Sequence, residues 1–253
     1  MTFITKNNSI RLLFMFILSF CIYSCDPDEE SFSLTIDFKH LVDDVEVVYG
    51  NDNLIYNNSS NIYSVRRLLY VLSDITLYFP DNTFLEIDDF IFINSDDSAT
   101  LRHTLYDLPQ QCSGIRFRLG FSSDDNIDNA YINSPYNFHS LMLWPNLFGT
   151  DGGTFQGGYH HLKLEGKFLV NSDESYFYNT HTGPINGFDY SILYPTFYFD
   201  STSSISIYMD INKWYNNPFY DLTSFGNGIM DNLDAQELLY QNGLDIFNVQ
   251  PNA

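Results

Sequence analysis

Alternation of apolar and polar residues is the clearest signal in the chain. Phe32, Leu34, Ile36 and Phe38 interleave with Ser33, Thr35, Asp37 and Lys39, which puts every apolar side chain on one face of a strand, and His40 continues that face. The same period returns at Ile115, Phe117, Leu119 and Phe121 against Arg116 and Arg118. It returns again at Ile205, Ile207, Met209 and Ile211 against Ser204, Ser206, Tyr208 and Asp210. Denser apolar runs over 68–79, 84–93 and 194–199 are bounded by Pro80-Asp81-Asn82, Asn94-Ser95-Asp96-Asp97 and Asp200-Ser201-Thr202, and predict further strands between polar turns. One helix is predicted, over 232–243. It has an Asn or Asp cap, a buried stripe of Leu233, Ala235, Leu238 and Leu239, and Gly243 as the stop. No repeat of fixed period and no Pro- or Ser-rich linker interrupts the pattern. The expected fold is therefore all-β: a single antiparallel β-sandwich-like domain over 32–253 with one short C-terminal helix.

The N-terminus follows a different rule. Lys6 and Arg11 precede an apolar run over 12–24, about 13 residues and short of the roughly 20 that a membrane-crossing helix needs. This has the form of a cleaved secretory signal. Ile22-Tyr23-Ser24-Cys25 resembles a bacterial lipobox, whereas Cys21 follows the bulky Phe20 and fits worse. The expected division is thus a lipoprotein signal peptide at 1–24, lipidation at Cys25, and an acidic tether at 25–31. Asp26, Asp28, Glu29 and Glu30 in that tether resemble the run that sends Bacteroidetes-like lipoproteins to the outer face of the outer membrane. Cleavage would leave Cys112 as the one cysteine besides the lipidated Cys25, so no intramolecular disulfide is expected.

Charge narrows the function. Loss of Lys6 and Arg11 leaves 11 − 2 = 9 basic residues against 32 acidic ones. A net charge of 9 − 32 = −23 repels phosphate backbones and anionic lipid and attracts cations, so nucleic acid is excluded as a partner. With 19 Tyr and 23 Phe the chain has far too much apolar material for a disordered acidic tail.

The six histidines are His40, His103, His139, His160, His161 and His181. In Tyr159-His160-His161-Leu162-Lys163-Leu164-Glu165-Gly166-Lys167-Phe168, His160 shares a face with Leu162, Leu164 and Phe168, and His161 shares the other with Lys163, Glu165 and Lys167. Strand period therefore aims His40 and His160 toward an apolar interior, where a buried imidazole needs a hydrogen-bond partner or a metal. His181, in Tyr178-Asn179-Thr180-His181-Thr182-Gly183-Pro184, is expected in a loop. Taken singly, each reads as an ordinary structural histidine; a metal centre requires that they converge.

Several strings occur in one order: Leu69 to Leu77, Met142-Leu143-Trp144-Pro145, Gly157-Gly158-Tyr159-His160-His161-Leu162-Lys163-Leu164-Glu165-Gly166, His181-Thr182-Gly183, Met209 to Tyr215, Gly228-Ile229-Met230, and Asn242 to Phe247. Together they resemble the MbnP-like family of envelope copper-binding proteins, over about residues 32–248. The stretch Asn146 to Gln156 is longer than the family pattern. The resemblance implies a copper site with histidine ligands: His160 and His181, with His40 third. In some members a tryptophan is oxidised to kynurenine by a partner di-haem enzyme related to MauG, which makes Trp144 the candidate modified residue. Imidazole suits copper, and the lack of paired cysteines disfavours structural zinc or iron–sulfur. The expectation fails if the rings of His160 and His181 lie more than about 8 Å apart.

Other readings are weaker. Asp124-Asp125-Asn126-Ile127-Asp128-Asn129 begins like a Ca²⁺ loop, but Asn129 replaces the glycine and Pro135 stands where the bidentate Glu belongs. Trp144, Trp214 and Tyr215 could form a glycan-binding platform on a surface lipoprotein without metal. No G-x-S-x-G, P-loop or H-E-x-x-H motif is present, so an enzyme is not expected, and the chain reads as a monomer.

Overall fold

The computed structural model describes residues 31–50, 52, 56–58, 61–146, 155–171 and 173–252. The expected signal peptide, Cys25 and the acidic run up to Glu30 lie outside the described residues, as does most of the stretch between Asn146 and Gln156. Residues Ser31–Ala253 form one compact unit, and among the described residues no helix is long and apolar enough to cross a membrane.

Alternation becomes strand where it was expected. The first part of the chain forms β1 (Phe32–Val42), β2 (Val45–Glu46), β3 (Tyr56–Asn58), β4 (Asn61–Tyr78), β5 (Phe84–Ile87), β6 (Ile91–Asn94), β7 (Arg102–Leu108) and β8 (Cys112–Leu119). After the short helix α1 (Phe138–Met142) come β9 (Leu162–Asn171), β10 (Glu174–Thr182), β11 (Ile192–Leu193), β12 (Phe197–Thr202) and β13 (Ser204–Asp210). Helices α2 (Leu222–Phe225) and α3 (Leu233–Gly243) precede the last strand, β14 (Phe247–Pro251).

Two sheets result. One has the order β14-β13-β1-β2, with β7 also on β1; the other has the order β10-β9-β4-β8-β11, with β12 on β8 and β3, β5 and β6 on β4. Among the described residues, pairing between strands is antiparallel except for β1 with β13, where Ile36 lies opposite Ile205 and Phe38 opposite Ile207 in parallel register. Leu34, Ile36 and Phe38 of the first sheet share one core with Tyr70, Phe117, Leu162 and Leu164 of the second. Edge-on ring contacts such as Phe117 with Phe247, 5.3 Å between centroids, join the layers. Each fully buried side chain of this size contributes about 1.5–3 kcal/mol, so the sandwich is held by its facing apolar surfaces. The expected all-β, sandwich-like class with a short C-terminal helix is what forms.

Local departures have local causes. The apolar run over 84–93 is two strands, because β5 pairs with 75–78 of β4 and β6 with 69–72, leaving Asp88-Asp89-Phe90 unpaired between them. The strand expected at 194–199 starts only at Phe197, since Pro195 has no N–H for a ladder. β13 stops at Asp210, whose carboxylate accepts from Asn212 N–H at 3.0 Å and starts a 3-10 turn over Ile211–Tyr215. In α3 the cap is Asn232, but Leu233 is exposed and Gly243 is the last helical residue rather than the stop beyond it. A Cβ there would come within 2.5 Å of Ile192, so Gly243 serves close packing.

Candidate functional site

The segment after α1 runs antiparallel to the segment entering β9. Trp144 N–H donates to Gly158 O at 2.9 Å, Gly157 N–H to Pro145 O at 2.9 Å, and His160 N–H to Met142 O at 2.7 Å. This ladder sets Trp144 beside His160 by backbone pairing, whatever the length of chain between Asn146 and Gln156. Asn126 clamps its far side, accepting from Tyr159 N–H at 2.7 Å and donating to Tyr159 O at 3.1 Å. Gly158 has φ +81°, and a Cβ on it would stand 2.4 Å from Asn126 Oδ1, so only glycine admits the clamp. The acidic turn over 124–129 thus spends its Asn126 side chain on the site's backbone.

His181 is on a strand, not in a loop. It occupies the end of β10, opposite Lys163 of β9, and its carbonyl accepts from Gln236 Nε2 at 2.8 Å, which ties it to α3. The rings of His160 and His181 have centroids 5.1 Å apart at 86°, and the Trp144 indole stands 4.7 Å from His160 at 82°. Gly183, two residues past His181, lies under that indole: a Cβ would meet Trp144 Cδ2 and Cε3 at 2.6 Å. Phe155 and Ile185 pack with Trp144 in a small apolar cluster flanked by Tyr190 and Met230.

Hydrogen bonding sorts the ring nitrogens. His160 Nδ1 lies 3.0 Å from Met142 O, which only accepts, so the proton is there and the lone pair is at Nε2. That Nε2 is buried without a hydrogen-bond partner, as is the indole Nε1 of Trp144. His181 Nε2 lies 2.9 Å from Glu165 Oε1, and Arg67 grips the same carboxylate through Nε at 3.1 Å and a terminal nitrogen at 2.8 Å. Burial holds His160 well below the usual histidine range, with His181 and Lys163 adding repulsion. Burial also lowers His181, against the opposing pull of Glu165. Burial alone would raise Glu165, but hydrogen bonds from His181 and Arg67 outweigh it and bring its pKa down to about 2. The site therefore presents two neutral imidazoles beside an ionised, neutralised carboxylate.

His40 is not brought to this pair. It faces the core from β1, with Nε2 3.1 Å from the Tyr70 hydroxyl and its ring between Tyr49 and Tyr70. Burial pushes its pKa down to about 3. Two imidazoles converge, not three, and among the described residues no group of three His, Cys, Asp or Glu side chains could hold a metal. The glycan platform also fails on placement, since Trp144, Trp214 and Tyr215 are all 1 % exposed or less. His161, expected on the face of Lys163, is fully buried, with Nε2 2.6 Å from Asp189 O and its ring against Gly120. Sequence reasoning missed Glu165 as the partner of His181 and Arg67 as the partner of Glu165. The outward phase of Glu165 on β9 was visible, but the strand across from it was not.

Among curated proteins the sequence finds no match. Among solved structures the fold is similar to MbnP from Methylosinus trichosporium, with a TM-score of 0.57 at 11% identity, covering 88% of this chain and 100% of that one. The family model for MbnP matches residues 31–231, across both sheets and through the Trp144, His160 and His181 site, and the chain therefore belongs to the MbnP family.

Proposed function

We propose that this chain is an envelope lipoprotein that binds copper through His160 and His181, for acquisition, buffering or delivery rather than catalysis. The observation that carries the reading is the unpartnered Nε2 of His160, buried 5 % exposed and facing a second imidazole whose centroid is 5.1 Å away. A buried acceptor without a partner costs about 1–3 kcal/mol, and a bound metal ion would satisfy it. The residues fit the group: neutral imidazole is a strong ligand for copper, which heads the divalent affinity order, and the acidic surface attracts cations.

Met142 O and Glu165 would orient the two rings from outside, as second partners of metal-bound histidines commonly do. Trp144, in ring contact with His160, would on this reading be the residue oxidised to kynurenine by a di-haem partner related to MauG. Lipidation at Cys25 would tether the domain to the outer membrane, at the cell surface, as a monomer.

The test uses a soluble Cys25→Ser form. It should take up about one Cu(II) ion and show nitrogen couplings in its electron paramagnetic resonance spectrum. Uptake no greater than that of a His160→Ala, His181→Ala double variant would remove the copper reading.

A further inference from the structure

An imidazole ligates only through the nitrogen that carries no proton, so a centre built on His181 depends on which neutral tautomer the protein holds. His181 Nε2 lies 2.9 Å from Glu165 Oε1. An ionised carboxylate only accepts, which places the proton on Nε2 and the lone pair on Nδ1.

Glu165 is itself held by a device in the sheet. Along β4 and β9 the register runs from Val65 opposite Gly166 to Arg67 opposite Glu165, so Arg66 is an extra residue in β4. Without that bulge Arg66 would face Glu165. With it, Arg67 takes the carboxylate in a two-pronged grip and Arg66 turns to the Phe177 ring, 5.5 Å from its centroid. Bulges re-aim side chains in this way beside functional sites. On the other side, β10 sets Asn179 opposite Glu165 and His181 opposite Lys163, which makes Glu165 and His181 diagonal neighbours.

We propose that Glu165, gripped by Arg67 across the β4 bulge, is a positioning residue that locks His181 as its Nε2–H tautomer and so offers Nδ1 to the metal. The consequence for binding rests on the copper reading above; the tautomer itself does not.

Nitrogen-15 histidine spectra of the metal-free Cys25→Ser protein read the tautomer directly, with His181 assigned from its loss in His181→Ala. The unsubstituted protein should show the Nε2–H form. In Glu165→Gln the amide can donate to Nε2, so the Nδ1–H form should grow and Cu(II) affinity should fall about 10–100-fold. Arg67→Lys keeps the carboxylate and should keep the tautomer with a smaller loss. A purely structural ion pair would leave the tautomer unmoved in Glu165→Gln, and that result overturns the lock. So does an Nδ1–H form in the unsubstituted protein, which needs no variant to fold. A tautomer that shifts as expected in a protein that takes up no copper upholds the lock and overturns the copper reading instead.

Discussion

Protonation of His40 can be isolated from metal binding and measured as stability. The ring is fully buried on β1, and its one polar contact at Nε2 is the Tyr70 hydroxyl at 3.1 Å. Burial takes its pKa from the ordinary value of about 6.5 to about 3. Between those values the unfolded chain binds a proton that the folded chain refuses. Stability is therefore complete above about pH 6.5 and falls as pH drops toward 3. Each unit is worth about 1.4 kcal/mol, so at pH 4.5 the loss from this one group is about 3 kcal/mol, a large share of a typical 5–15. The perturbation is His40→Phe in the metal-free soluble form, with urea midpoints at pH 7.5 and 4.5. At pH 7.5 the variant should be less stable by about 1–3 kcal/mol, because the Tyr70 hydroxyl loses its partner. By pH 4.5 the unsubstituted protein should have lost about 3 kcal/mol more than the variant, bringing the two curves together or across. Other acid-sensitive groups are common to both proteins and cancel in the comparison. Parallel curves would show that His40 titrates as an exposed histidine and would refute the burial argument. Copper uptake by the variant should match that of the unsubstituted protein, since the ring stands apart from His160 and His181.

Two further outcomes follow from packing. Gly183→Ala sets a methyl 2.6 Å from the Trp144 indole, so the ring must leave its place against His160, at a cost of about 1–3 kcal/mol. An unchanged urea midpoint and an unchanged near-ultraviolet tryptophan signal would remove that contact. Cys112 is fully buried, and burial pushes its thiol up to about 12. It should react with an aromatic disulfide reagent only as fast as the fold opens, and reaction at the rate of a free thiol would contradict its burial.

The strands and the site were readable from the sequence to different depths, because period and pairing are different kinds of information. A period of two says which face a side chain takes, and it places Leu34, Ile36, Phe38 and His160 inward. It says nothing about which strand lies alongside. Hence the parallel pairing of β1 with β13, some 170 residues apart in sequence, was invisible, as was the continuation of the apolar run that starts at Leu68 back through Asn61 to Arg67 into one 18-residue strand. The same limit governs the site. His160 carried its own signal in its phase, and Trp144 carried one in its motif. Arg67 carried none and Glu165 only its outward phase, since their joint role arises only when a bulge in β4 slides one opposite the other. His40 shows the converse error: its inward phase was correct, but an inward phase is shared by every core residue and does not distinguish one interior neighbourhood from another. Gly183 becomes informative only with coordinates, when the residue two places beyond His181 proves to be the floor beneath the indole. A site assembled across strands is thus found in sequence through the residues that face inward, and completed only by the register that brings their partners to them.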